Sequence, residues 1–146
     1  MARLKVLFLC TGNSARSQMA EALLRQLGGG NFEAHSAGLD PKGMNPLTVE
    51  ALAEIGLDTK GQSSKSLQIY LGQHFDHVIT VCEHANEKCP AWPGKTVRHH
   101  WSFEDPAAAT GSHDEQLAVF RNIREQISAR IKAWLGEPAD ARRGIS

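Results

Sequence analysis

Residues 4–10, LKVLFLC, form an almost unbroken apolar run of β-favouring residues and pass directly into the polar loop TGNSA. A strand that is apolar at consecutive positions is covered on both faces, the habit of parallel rather than antiparallel sheets. Parallel neighbours need long crossover connections, which helices usually supply. The first ten residues therefore already favour an α/β fold. The next segment fits: Met19, Ala20, Leu23, Leu24 and Leu27 recur at helical spacing between Ser17 and Leu27, and Gly28 to Gly30 end the pattern.

Further units follow. NFEAHSAG at 31–38 alternates like a short strand, and Asn45 with Pro46 offers a cap and a first-turn proline for a helix running to Gly56. A polar stretch leads to a short helical segment at 66–71. FDHVITVC at 75–82 is another buried-type strand, with Cys82 at its carboxyl end. KTVRHHW at 95–101 is a weaker strand, placed near an edge by Arg98, His99 and His100. Ser112 and Glu115 make a capping-box pair ahead of the stripe Leu117, Phe120, Ile123, Ile127, Ile131 and Trp134. Trp101 and Trp134 are expected in the core, and the charges of the last helix on its solvated face. The expected fold is a single-domain α/β structure over residues 1–135: a flavodoxin-like, four-stranded parallel sheet with helices on both faces. Residues 136–146 lack apolar periodicity and are expected to be a flexible tail. In such folds ligands sit beyond the carboxyl ends of the strands, so Cys10, Cys82 and Asp105 should converge on one rim.

Composition narrows the function. The 146 residues carry 16 Lys plus Arg against 16 Asp plus Glu, a formal net charge of zero, so neither nucleic acid nor a membrane surface is an expected partner. No apolar run approaches the ~18 residues of a membrane span, and the run ending at Cys10 is too short for a secretory leader. A chain of this size buries about 68–70% of its unfolded surface and needs no disulfides to hold a core. Three cysteines, an odd number, point instead to thiols kept reduced in the cytoplasm. A monomer is expected.

The chemistry is expected in the loop Cys10-Thr11-Gly12-Asn13-Ser14-Ala15-Arg16-Ser17. A loop that closes into a helix N-terminus aims backbone N–H groups and about half a positive charge at one spot, which suits a tetrahedral oxyanion. Gly12 removes a Cβ from the approach, Asn13 tolerates a left-handed conformation, and Arg16 offers a bidentate fork. Cys10 lies beneath the anion, and the same field, with the Ser17 hydroxyl as an extra donor, is expected to lower its pKa into the ~3.5–7.5 range. Two other readings exist: a buried strand-end cysteine beside a plain turn, and a nucleotide loop, which lacks its Gly-Lys-Ser/Thr ending.

CTGNSARS near the N-terminus and a late Asp-Pro resemble the low-molecular-weight protein tyrosine phosphatases along nearly the whole chain. That resemblance implies that Cys10 attacks, Arg16 binds the oxyanion and Asp105 protonates the leaving group. The chain departs from the phosphatase pattern at Ala15, where cysteine is usual, at Gln18, where proline is usual, and at Ala107 and Ala108, where aromatic residues would wall a phosphotyrosine ring. Cys82 and Cys89 in TVCEHANEKCP, with HWSFEDPA at 100–107, resemble the thioredoxin-coupled arsenate reductases of the same superfamily. The resemblance implies arsenate as substrate, a Cys10 adduct, and a disulfide relay through Cys10, Cys82 and Cys89 regenerated by thioredoxin, with glutaredoxin and glutathione as the alternative. Phosphoester or phosphotyrosine hydrolysis is the alternative activity.

One loop geometry cannot serve both disulfides, so the segment 82–94, polar and rich in breakers, is expected to rearrange. Cys82, His84 and Cys89 could instead hold a metal, against which stands a spacing longer than structural zinc uses. Family members can also carry a potassium site near the loop, at positions matching Asn13, Ser36 and Ser63 plus an acidic residue. Lys65 stands where that acid would be, which counts against a monovalent cation and puts an ammonium in the same space. No other cofactor is implied.

Overall fold

The computed structural model describes residues 3–137. Four strands, β1 (Leu4–Cys10), β2 (Phe32–Gly38), β3 (His77–Thr80) and β4 (Val97–His100), form one parallel sheet in the order β2-β1-β3-β4. The central β1 is buried at every position from Val6 to Cys10, as its apolar run requires. Register pairs Cys10 with Gly38 and Leu9 with Thr80, so the carboxyl ends of the three strands lie side by side.

Helices α1 (Arg16–Gly28), α2 (Pro46–Ala53), α3 (Glu83–Glu87) and α4 (His113–Leu135) connect and flank the sheet. One face is covered by α1 and α4: Trp134 packs its ring on Phe32, His77 and His99, and Phe8 meets Trp101. On the other face Tyr70, from a short 3-10 turn at 67–70, joins His35, Phe75 and Trp92, and α3 lies beyond Thr80. Local chemistry ends the helices as the sequence predicts. Asn45 Oδ1 accepts from Leu47 N at 2.9 Å, Ser112 and Glu115 close a reciprocal capping box, and Gly29 terminates α1 at φ +58°.

Three expectations need correction. α2 stops at Ala53, three residues before Gly56. The strand expected at 75–82 is only four residues long, because Cys82 leaves the sheet to cap α3, a helix without an apolar stripe that the sequence did not reveal. Arg124 is not on the solvated face of α4: it is buried, donating to Ala51 O at 2.7 Å and to Glu54 at 2.9 Å. β4 lies at the sheet edge as expected, and His99 on it is buried with its ring edge-on to Trp134. No helix among the described residues is long and apolar enough to cross a membrane. The expected tail lies, beyond Glu137, outside the described residues.

Candidate active site

β1 delivers Cys10 to the sheet rim, and α1 begins six residues later at Arg16. The cap position of α1 is Ala15, whose side chain cannot accept a hydrogen bond, so the first N–H groups of the helix have no side-chain cap. Asn13 makes the sharp turn at φ +48°, the left-handed conformation that asparagine tolerates. Closure also depends on Gly38 at the end of β2, where a Cβ would lie 2.6 Å from Thr11 O and 2.9 Å from Asn13 N. At Gly12, the glycine that the sequence singles out, an added Cβ would meet the flexible Lys42 side chain at 3.1 Å.

Around the Cys10 sulfur the donors are ordered. Asn13 N donates to Sγ at 3.1 Å, and Ser17 Oγ lies 2.7 Å from Sγ. Ser17 Oγ accepts from Asn13 Nδ2 at 2.7 Å and keeps its own hydrogen, which can point at a sulfur that has lost its proton. As a thiolate, Cys10 would receive two hydrogen bonds. It is also almost wholly buried, and burial pushes the thiol above its ordinary value, outweighing Ser17, Asn13 and the more distant Arg16 charge. The fall into the ~3.5–7.5 range expected from the helix terminus is not found; burial raises the thiol instead.

Arg16 shows why its contribution is small. The guanidinium is engaged elsewhere, donating to Phe103 O at 3.1 Å and standing 3.8 Å from Asp105 Oδ2. The other Asp105 oxygen caps a 3-10 turn, accepting from Ala107 N at 3.0 Å. Cys10, Arg16 and Asp105 line one cavity of about 470 Å³, with Met44, Asn45 and Ala107 among its walls. Among the described residues no aromatic side chain lines it.

Cys82 sits beside this loop. Its Sγ lies 3.4 Å from Thr11 Oγ1 and accepts from Ala85 N at 3.4 Å as the cap of α3. Cys89 follows the far end of α3, half-buried, its thiol 3.7 Å from Pro90 O. All three thiols are free. The rim therefore gathers Cys10, Cys82, Arg16 and Asp105, while Cys89 stands apart by the length of α3. No cluster of three or more metal-ligating side chains occurs among the described residues, so Cys82, His84 and Cys89 do not converge.

Several contributors were not legible in the sequence. Gln18, fully buried at the start of α1, donates through Nε2 to Asn13 O, Asn13 Oδ1 and Ser63 O. Gln62 in turn donates to the Gln18 carbonyl groups. Glu21 is buried and accepts from Ser36 Oγ, pairing with Arg25 at 2.7 Å. The Lys65 ammonium, by contrast, stands in the space where the sequence expects it, 2.6 Å from Ser63 O and 3.8 Å from Glu21 Oε1. A polar residue on the buried side of an amphipathic helix, as Gln18 and Glu21 are, is the signal that could have pointed to them.

Comparison with known proteins agrees with this geometry. Residues 5–143 match the family profile described as low molecular weight phosphotyrosine protein phosphatase. An arsenate reductase of Halalkalibacterium halodurans is 46% identical over 129 residues, covering 88% of this chain and 93% of the relative. A crystal structure of arsenate reductase from Archaeoglobus fulgidus is similar with a TM-score of 0.73 and 31% identity, over 90% of this chain and 99% of that one. A thioredoxin-dependent arsenate reductase of Corynebacterium glutamicum gives 0.65 and 29%, over 90% of this chain and 61% of that one.

Proposed function

The chain belongs to the low molecular weight phosphotyrosine protein phosphatase family, and from that premise we propose that it is an arsenate reductase working by a three-thiol relay. The observation that carries the reading is the second thiol at the anion loop: Cys82 Sγ lies 3.4 Å from the Thr11 hydroxyl, beside Cys10. Hydrolysis of a phosphoester needs one nucleophile; a two-electron reduction needs two thiols.

Arsenate enters the cavity, and Arg16 turns from Phe103 O and Asp105 to the oxyanion. The Cys10 thiolate, held by the Asn13 N–H and the Ser17 hydroxyl, attacks arsenic. A sulfur–arsenic bond forms, an arsenic–oxygen bond breaks, and the departing oxygen leaves as water with a proton from Asp105. The Cys82 thiolate then attacks the Cys10 sulfur. The sulfur–arsenic pair of electrons passes to arsenic, which leaves as arsenite, and a Cys10–Cys82 disulfide remains. Cys89 attacks Cys82, releasing the Cys10 thiolate and moving the disulfide to 82–89, where a dithiol of the thioredoxin class reduces it.

The reading includes no monovalent cation. What supports this is that Ser63 O accepts from the Lys65 ammonium, Asn13 Oδ1 from the Lys65 main-chain N–H, and Ser36 Oγ donates to Glu21, so the polar groups at these positions already have partners. Among the described residues the cavity also has no aromatic wall to stack a phosphotyrosine ring.

Reduced protein mixed with arsenate and no external reductant tests the reading. One arsenite per chain should appear with loss of about 2 Da from the protein as two thiols become a disulfide. The Cys82→Ser variant should release none while still hydrolysing an aryl phosphate slowly. Arsenite release that survives in Cys82→Ser would refute the relay.

A further inference from the structure

The turn that aims Asn13 at Cys10 is held by side chains that take no part in the reaction. Asn13 is the one non-glycine residue at positive φ among the described residues, and its conformation is disfavoured unless its polar atoms are held from outside. They are. Asn13 Oδ1 accepts from Lys65 N at 2.8 Å and from Gln18 Nε2 at 2.9 Å, and Asn13 O accepts from Gln18 Nε2 at 3.1 Å. With Oδ1 so engaged, the Asn13 Nδ2 end is the one that faces Ser17.

The direction of the Gln18 amide is set in turn. Gln62 Nε2 lies 3.1 Å from the Gln18 main-chain carbonyl, which can only accept, so the nitrogen of Gln62 must face Gln18. It then also donates to Gln18 Oε1 at 2.8 Å, and that leaves the Gln18 nitrogen facing Asn13 and Ser63 O. A single chain of amides, anchored on one backbone carbonyl, thus runs from Gln62 through Gln18, Asn13 and Ser17 to the sulfur.

We propose that Gln18, oriented by Gln62, is a positioning residue for the Cys10 nucleophile. It keeps Asn13 in the left-handed turn that presents one N–H to the sulfur directly and, through Ser17, one hydroxyl. The proposal rests on Cys10 being the nucleophile of the reading above, but neither on arsenate as the substrate nor on the relay.

The test is made in a Cys82→Ser, Cys89→Ser background, where Cys10 is the one remaining cysteine. The rate of Cys10 alkylation by iodoacetamide is followed against pH, with and without inorganic phosphate as a protecting anion. In Gln18→Met the midpoint of the pH profile should rise by about one unit, and phosphate should protect about tenfold less well, the scale of one hydrogen bond to a charged group. Gln62→Met should shift both in the same direction by less. Variants that melt earlier while keeping the parent midpoint and phosphate protection would show a purely structural role and overturn the proposal. If Gln18→Met does not fold, Gln62→Met, which alters a half-buried side chain outside the helices, decides by the same two readouts. Absence of phosphate protection in the parent itself would count against the oxyanion loop, whereas the shift in midpoint still decides the role of Gln18.

Discussion

At the scale of single residues, Cys10 is set between opposed effects. Burial raises its pKa, while the Ser17 and Asn13 donors lower it. Removing a donor should therefore raise it further: in Ser17→Ala the pH profile of Cys10 alkylation moves upward by about one unit, and an unchanged profile would remove Ser17 from that role. Since the raised pKa lies above that of an ordinary thiol, Cys10 without bound anion should alkylate more slowly than free cysteine at neutral pH. Gly38→Ala is expected to be disruptive, because its Cβ would meet backbone oxygen and nitrogen that cannot swing aside. A loss of about 1–3 kcal/mol in denaturant unfolding and a weaker oxyanion site are the expected outcome. Cys10 and Arg16 could be picked out from sequence because strand, loop and helix are local patterns. The direction of the Cys10 pKa could not, since it depends on how deeply the rest of the fold buries one sulfur. Nor could the demand on Gly38, which arises where a residue from another strand passes under the loop.

At the scale of elements, α3 is the part that the proposed relay requires to move. Cys82 caps its start and Lys88 its end, six helical rises or about 9 Å apart along the axis, and Cys89 follows. A disulfide needs Cα atoms within roughly 7 Å, so an 82–89 bond and an intact α3 exclude one another. Amide hydrogen exchange across residues 83–89 should therefore be faster in the oxidised protein than in the reduced one, and identical exchange in both states would contradict the relay. The helix is built to yield, being five residues long with only Ala85 buried. The same brevity hid it from the sequence, where Glu, Asn, Lys and Pro after Cys82 read as loop. By contrast α4, with its capping box and long stripe, was plain. Ser112→Ala should cost about 1 kcal/mol of stability, with the site unaffected.

At the scale of the whole molecule, the order of the strands makes the site. Placing β1 beside β3 brings residues 10 and 82 to one rim, and that order was an assumption at the level of sequence, since an apolar run names no neighbour. The sheet also carries a buried polar pair that the sequence did not single out: His77 Nδ1 lies 3.0 Å from His99 Nε2, under Trp134. Burial, then the charges of His77 and Arg130, lower the pKa of His99 from 6.5 to about 4. The fold holds the neutral ring, so this contribution is complete above pH 6.5 and is lost as the pH falls from there towards 4. Melting temperature should drop across that interval, and His99→Gln should flatten the drop; the Glu54 carboxylate, held from 4.5 down to about 2 by Arg121 and Arg124, adds its own loss only as the pH falls below about 4.5. The central claim, that three thiols pass two electrons from a thioredoxin-class dithiol to arsenate, is tested most directly by arsenate-dependent NADPH oxidation with thioredoxin and thioredoxin reductase. Wild-type protein should turn over continuously, and Cys89→Ser should stop after a single equivalent with Cys10 and Cys82 joined. Sustained turnover by Cys89→Ser at the wild-type rate would contradict the relay.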